Sequence, residues 1–117
     1  MFSMKLSKKK RAAQYKDLDL DVRSEIADLF RLLGDPSRLG IVYACLGEQV
    51  AAGDIARTLN ISPSLTSHHL RLLKAARLVK SKRKGKQIFY TAADAHVRRV
   101  LLDMAEHALE HEHEENV

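Results

Sequence analysis

The stretch Ser62-Pro63-Ser64-Leu65-Thr66-Ser67-His68-His69-Leu70-Arg71-Leu72-Leu73-Lys74-Ala75-Ala76 decides the fold. Ser62-Pro63 is a helix start: the serine suits the N-cap, and proline at the first helical position lacks only an N–H that would be unpaired anyway. The helix predicted over 63–76 has two faces. Leu65, His69, Leu72, Leu73 and Ala76 follow i, i+4, i+7, i+8 and i+11 and form the expected inward face. Ser64, Ser67, His68, Arg71 and Lys74 form a separate polar stripe. Short polar side chains near a helix N-terminus let a backbone approach base edges, and cations further along meet phosphates. This reads as the second helix of a helix-turn-helix motif.

Working outward, the partner helix is predicted over 51–59, with Ile55, Ala56 and Leu59 inward and a tight turn at Asn60-Ile61-Ser62-Pro63. Downstream the period changes from helical to alternating. Residues 78–83 and 86–91 are short β-prone runs joined by a hairpin turn at Lys84-Gly85, glycine supplying a positive φ. Upstream, Val22, Ile26, Leu29, Phe30 and Leu33 predict a helix over 21–33 ended by Gly34. Asp35-Pro36 restarts one that runs through Leu39, Val42, Tyr43 and Leu46 to Gly47. A long last helix is expected over 94–112, its apolar face Val97, Val100, Leu101, Met104, Ala105, Ala108 and Leu109. The expected fold is mainly α with a β-hairpin wing, a winged helix-turn-helix. The domain is expected over residues 17–112, preceded by a flexible basic arm (1–16) and followed by an acidic tail (113–117).

Charge follows this division. The chain has 117 residues, 20 Lys and Arg and 15 Asp and Glu, a formal charge of +5. Residues 71–86 hold eight cations and no acid, residues 1–16 hold six and no acid, and residues 103–117 hold six acids and three histidines. With the hairpin cations Arg83, Lys84 and Lys86 beside the helical stripe, this points to double-stranded DNA, and displaced counterions would make binding steeply salt-dependent. Phe89 and Tyr90 are adjacent, so they alternate faces and make a poor stacking platform for RNA. The single Cys45 excludes an intrachain disulfide and reads as a small core residue. Scattered glycines give no phosphate loop. No apolar run spans a bilayer and no secretory signal opens the chain, so a cytoplasmic location without membrane contact is expected.

The last helix carries Asp94, His96, His107, Glu110 and His111. His96 and His107 are eleven residues apart, about three turns, so they share a face but stand ~16 Å apart along the axis. One ion with ligand bonds of ~2 Å cannot reach both. Two such helices paired antiparallel about a two-fold axis would bring Asp94 and His96 of one chain to His107 and Glu110 of the other. Two carboxylates and two imidazoles suit Zn(II) or Co(II) better than softer ions. His111, one turn beyond His107, is a rival fourth ligand. Asp94 equally suits a plain N-cap, and residues 110–116 equally suit a solvated acidic face. A zinc hydrolase needs an open coordination position, which four protein ligands close.

These residues resemble the ArsR/SmtB family of winged-helix metal-sensing repressors. The resemblance rests on Leu33-Gly34-Asp35-Pro36-Ser37-Arg38-Leu39, on Asp54-Ile55-Ala56, on the Ser62–Leu70 stretch, on the Gly85 wing, and on Asp94-x-His96 with His107-x-x-Glu110. It implies a homodimer joined through its first and last helices, whose metal-free form binds operator DNA and is released by zinc. It implies Ser64, Ser67 and His68 at the groove; Ser62, which opens the same helix, and the cations Arg71, Lys74, Arg83, Lys84 and Lys86 are expected to bind DNA with them. Asp94, His96, His107 and Glu110 become the zinc ligands. The cysteines of the arsenic- and cadmium-sensing branch are missing from residues 49–54. Nickel-sensing relatives add histidines, which leaves His111 and His113 open as extra ligands. A dimeric regulator of this fold that senses no metal through these residues is the alternative.

Overall fold

The computed structural model describes residues 15–115, and side chains for residues 16–112. The expected basic arm, apart from Tyr15 and Lys16, lies outside the described residues, as do the side chains of the expected tail 113–117. The chain divides within its first α-helix into a unit Met1–Arg31 and a unit Leu32–Val117.

In the first unit a 3₁₀ turn, Tyr15–Asp17, leads into α1 (Leu20–Leu33). Asp19 Oδ1 accepts the Val22 N–H at 3.0 Å, satisfying one of the unpaired donors of the first turn. No residue of α1 is buried: Leu20 and Phe30 are 68% and 63% exposed.

The second unit runs α2 (Pro36–Ala44), β1 (Val50–Ala51), α3 (Ala52–Leu59), α4 (Pro63–Ala75), β2 (Val79–Lys84), β3 (Gln87–Ala92) and α5 (Ala95–Glu115). Both Asx/Ser-Pro starts cap as their chemistry requires. Asp35 Oδ2 accepts from Arg38 N at 3.0 Å, and Ser62 Oγ accepts from Leu65 N at 3.1 Å. The helix-turn-helix turn is closed by Asn60 in the left-handed region (φ 55°), with Ile61 N–H donating to Ala56 O at 3.1 Å. The end of α4 uses the same device. Arg77 takes φ 62° and Leu78 N–H reaches Leu73 O at 2.9 Å, the six-to-one bond of a Schellman motif. α2 stops at Ala44, short of the expected Gly47, as the bonds tighten to i→i−3: the Cys45 N–H is shared with Val42 O at 2.9 Å and the Leu46 N–H donates to Tyr43 O at 3.2 Å.

The wing is a three-stranded antiparallel sheet in the order β1-β3-β2. Val50 pairs with Tyr90, Ser81 with Tyr90 from the other side, and Lys82 with Phe89. The hairpin turn falls at Gly85-Lys86, one residue later than expected, with Gly85 at φ 64°. β1 went unread because two residues carry no period, and it takes Ala51 from the predicted start of α3.

The core gathers Ile41 and Val42 of α2, Cys45, Ile55 of α3, Leu70 and Leu73 of α4, Val79 of β2, Ala92 of β3 and Leu101 of α5. Each fully buried Ile, Leu or Val contributes roughly 1.5–3 kcal/mol of transfer free energy. One expectation needs correction here. The buried face of α4 is Thr66, His69, Leu70 and Leu73, while Leu65 is 41% exposed and Leu72 and Ala76 are half-buried. The face is rotated toward Thr66 because its hydroxyl donates to Ser62 O at 2.9 Å, which satisfies the one polar group that would oppose burial.

Candidate nucleic-acid interface and metal-ligand helix

α4 presents its polar stripe to solvent: Ser64, Ser67, His68, Arg71 and Lys74 are all exposed. Ser62 is exposed too, but its hydroxyl is committed to the cap of this helix. The stripe runs along a helix whose opposite side is anchored by Leu70 and Leu73, so the scaffold fixes its aim. Arg83, Lys84 and Lys86 are also exposed. The strand register separates them: Lys80, Lys82 and Lys84 share one face of β2, and Arg83 takes the other, opposite Ile88. Lys84 Nζ lies 5.6 Å over the Phe89 ring, a cation–π contact that steadies its long side chain.

Ser67 and Lys86, from helix and wing, line one cleft of about 370 Å³ together with Asp54, Arg57, Gln87 and Tyr90. Asp54 and Arg57 form an ion pair one turn apart on α3. Sequence reasoning missed Arg57, which lies outside the basic run; its signal was a cation on the first helix of the motif, on the side opposite Ile55 and Ala56.

Beneath the stripe lies a buried polar cluster. His69, 8% exposed, places Nε2 3.9 Å from Asp35 Oδ2, and Arg38 Nε stands 3.8 Å from the same oxygen. Among the described side chains, His69 Nδ1 and Arg38 Nε are buried without a hydrogen-bond partner. Desolvation pushes the His69 pKa below its ordinary 6.5; Asp35 opposes that shift, while Arg38 and His68 add to it. The imidazole is therefore held neutral, against the carboxylate that caps α2. Cys45, 0% exposed, has its thiol pushed up to about 11 by burial.

α5 starts at an N-cap that Asp94 provides, its Oδ1 accepting from Val97 N at 2.9 Å. That leaves Oδ2 for another partner. His96 Nδ1 is 3.8 Å from Asp94 Oδ1 and its side chain is 97% exposed, so the two sit side by side facing solvent. At the far end His107, Glu110 and His111 are exposed, and the His107 and His111 rings meet edge-on at 4.3 Å. Among the described residues of one chain, no three His, Cys, Asp or Glu are grouped to hold a metal. The helix keeps Asp94 and His96 apart from His107 and Glu110 at ~1.5 Å of rise per residue. Each end pairs one imidazole with one carboxylate, the donor types of half a tetrahedral N/O site.

α5 is tied to the end of α2. Tyr43 OH donates to Leu101 O at 2.7 Å and the Arg98 guanidinium donates to Leu46 O, while just before α5 the Ala92 N–H at the end of β3 donates to Cys45 O at 2.9 Å. Its own apolar residues Val100, Leu102, Met104 and Leu109 are 47–65% exposed. No described helix is long and apolar enough to cross a membrane.

Residues 35–81 match the family described as "Bacterial regulatory protein, arsR family". The "Transcriptional repressor SmtB homolog" of Synechocystis sp. is 36% identical over 100 residues, 86% of this chain and 76% of that protein. The "Cadmium resistance transcriptional regulatory protein CadC homolog" of Staphylococcus aureus is 33% identical over 87 residues, 74% of this chain and 72% of that protein. Among solved structures, a homodimeric winged helix-turn-helix DNA-binding domain from Mycobacterium bovis superposes with a TM-score of 0.74 at 26% identity, covering 86% of this chain and 93% of that one.

Proposed function

This chain belongs to the arsR family of bacterial regulatory proteins, and from that premise we propose that it is a metal-responsive repressor whose metal-free homodimer binds operator DNA and is released by Zn(II) or Co(II). It is a DNA-binding regulator rather than an enzyme. The observation that carries the metal reading is the placement of Asp94 and His96 at one end of an exposed helix and His107 and Glu110 at the other. Each pair is half a site, and a two-fold related α5 completes it. The exposed apolar residues of α1 and of α5 suit burial in that dimer. The homodimeric neighbour and the cadmium-resistance relative support both parts. The bound ion would supply a fixed cross-link between the two α5 helices.

The residues of this chain do the rest. Ser64, Ser67 and His68 read the groove, and Arg71, Lys74, Arg83, Lys84 and Lys86 hold phosphates. Ser62, expected among the DNA-binding residues, acts by starting the helix that carries them. Tyr43 and Arg98 tie α5 to the end of α2, so a change in α5 pairing is felt by the winged unit. By linkage, DNA must weaken metal binding by the same factor that metal weakens DNA binding. Residues 17–112 form the working unit in this reading, the arm 1–16 adds positive charge near DNA, and the site of action is the bacterial cytoplasm.

The test is operator binding with and without Zn(II), for wild type and His107→Ala, on a duplex selected from random sequences by the metal-free protein. Zinc should weaken wild-type binding, with two ions bound per dimer, and leave His107→Ala unaffected. Undiminished wild-type binding in zinc ends the derepression reading and leaves a regulator that does not sense metal through these residues. The His107–His111 contact favours a second version in which His111 joins the ligand set and Ni(II) is the effector. Loss of the response in His111→Ala, with Ni(II) more potent than Zn(II), would select it.

A further inference from the structure

The cleft between α3, α4 and the wing sets, beside Ser67 and Lys86 of the DNA-reading set, groups that this set does not account for: Arg57 and Asp54 from α3, and Gln87 and Tyr90 from the hairpin. We propose that this cleft seats a backbone phosphate of the bound duplex, with Arg57 as its principal cation, held in the free protein by Asp54. The inference rests on the DNA-binding reading and adds to it a contact on the first helix of the motif.

The lining is the first ground. Beside Ala51, Ala52, Gly53 and Ile88, the lining residues carry a guanidinium, an ammonium, two hydroxyls and an amide against one carboxylate. Donors in that proportion suit the oxygens of a phosphate, and a guanidinium fork matches two of them at once. Position is the second ground. In helix-turn-helix proteins the second helix enters the major groove while the first crosses the backbone. The cleft opens where α3 approaches α4 and the wing, beside Ser67.

The ion pair is the third ground. Arg57 donates to Asp54 Oδ1, and the two side chains are 75% and 57% exposed. A solvent-exposed pair one turn apart is weak, so a phosphate can take the guanidinium from the carboxylate at small cost. No covalent bond changes; one hydrogen-bond acceptor replaces another. Asp54 is then left as a negative charge beside a phosphate. It opposes DNA binding and sets the affinity lower than the cations alone would give.

The experiment uses the full-length, metal-free protein and a labelled mixed-sequence duplex of about 30 base pairs, because phosphate contacts carry no sequence information. Fluorescence anisotropy follows Kd from about 50 to about 200 mM salt. Arg57→Gln should bind more weakly, with a slope of log Kd against log salt shallower by about 0.9, so its disadvantage shrinks about 3.5-fold across that range. Asp54→Asn should bind about two- to five-fold more tightly at the low-salt end. Arg57→Lys, which keeps the charge but not the fork, should keep the slope and bind more weakly. Circular dichroism confirms that each variant melts like wild type. An unchanged slope in Arg57→Gln, or weaker binding by Asp54→Asn, overturns the proposal. A wild type that does not bind the duplex at all is a different result, the failure of the DNA-binding reading itself.

Discussion

Ser62 and Ser64 are two residues apart and look alike in sequence, yet α4 gives them different work. Ser62→Ala removes the Oγ acceptor of the Leu65 N–H, a 3.1 Å bond, and nothing else at the cap. The Thr66 N–H and hydroxyl both still reach Ser62 O at 2.9 Å, and Pro63 still presets the first helical φ. Leu65 N lies in the exposed first turn, so water takes over part of the lost bond. The expected cost is that of an ordinary N-cap, about 1 kcal/mol. For a domain of this size that lowers the melting temperature by about 4–8 °C. The same free energy is a factor of about 5 in the equilibrium for fraying of the first turn. Ser64 sits in that turn, so operator affinity should fall by up to about the same factor. Ser64→Ala is the counterpart: it should leave the melting temperature unchanged or slightly raised, alanine being the better helix former, and weaken operator binding directly. Far-ultraviolet circular dichroism melts and anisotropy titrations, at one fixed protein concentration because self-association would make melting depend on it, read both. A Ser62→Ala protein that melts with wild type while Ser64→Ala melts early would refute the assignment of cap and groove contact.

His69 gives a pH dependence with a definite sign. Its folded pKa is lowered, so the unfolded chain binds the proton more readily; the stability it confers is complete above about 6.5 and is lost as pH falls through and below that value. Melting temperatures at neutral and mildly acid pH should therefore fall further for wild type than for His69→Gln, and equal falls would count against the buried cluster. Cys45, fully buried with its thiol pushed up to about 11, should resist a thiol reagent in the native protein and react at once in denaturant; fast native labelling would contradict that packing. Tyr43→Phe deletes the 2.7 Å bond to Leu101 O and should cost about 1 kcal/mol, measured by denaturant unfolding. If the metal response passes through that tether, the same variant should also reduce the zinc effect on DNA binding.

Much of this architecture was legible because it is written in local chemistry. Asp35-Pro36 and Ser62-Pro63 announce helix starts through groups that act within one turn, and Gly85 announces the hairpin through its φ. The rest depended on contacts made across the chain. β1 exists only because Val50 and Ala51 meet Tyr90 and Phe89, nearly forty residues away. The buried face of α4 was misread by one position because Thr66 counts as polar in a list of residues and as satisfied once its hydroxyl finds a carbonyl. Arg57 escaped notice because its value comes from a cleft whose other walls are Ser67 and Lys86. The spacing of Asp94, His96, His107 and Glu110 was plain in the sequence, whereas the exposure that suits them to another chain needed the structure.

The order β1-β3-β2 leaves β2 with one side open, a row of backbone donors and acceptors that would accept a further strand. Lys80, Lys82 and Lys84 stand along that strand at every second residue, all exposed. A second β2 laid against the first would bring two rows of ammonium groups to within about 5 Å of each other, a like-charge pairing that disfavours the ladder. The wing thus guards its own edge against sheet extension. The guard is electrostatic, so it weakens as salt screens the lysines. A stock of this protein should be most prone to strand-mediated aggregation in the same high-salt buffers that strip it from DNA.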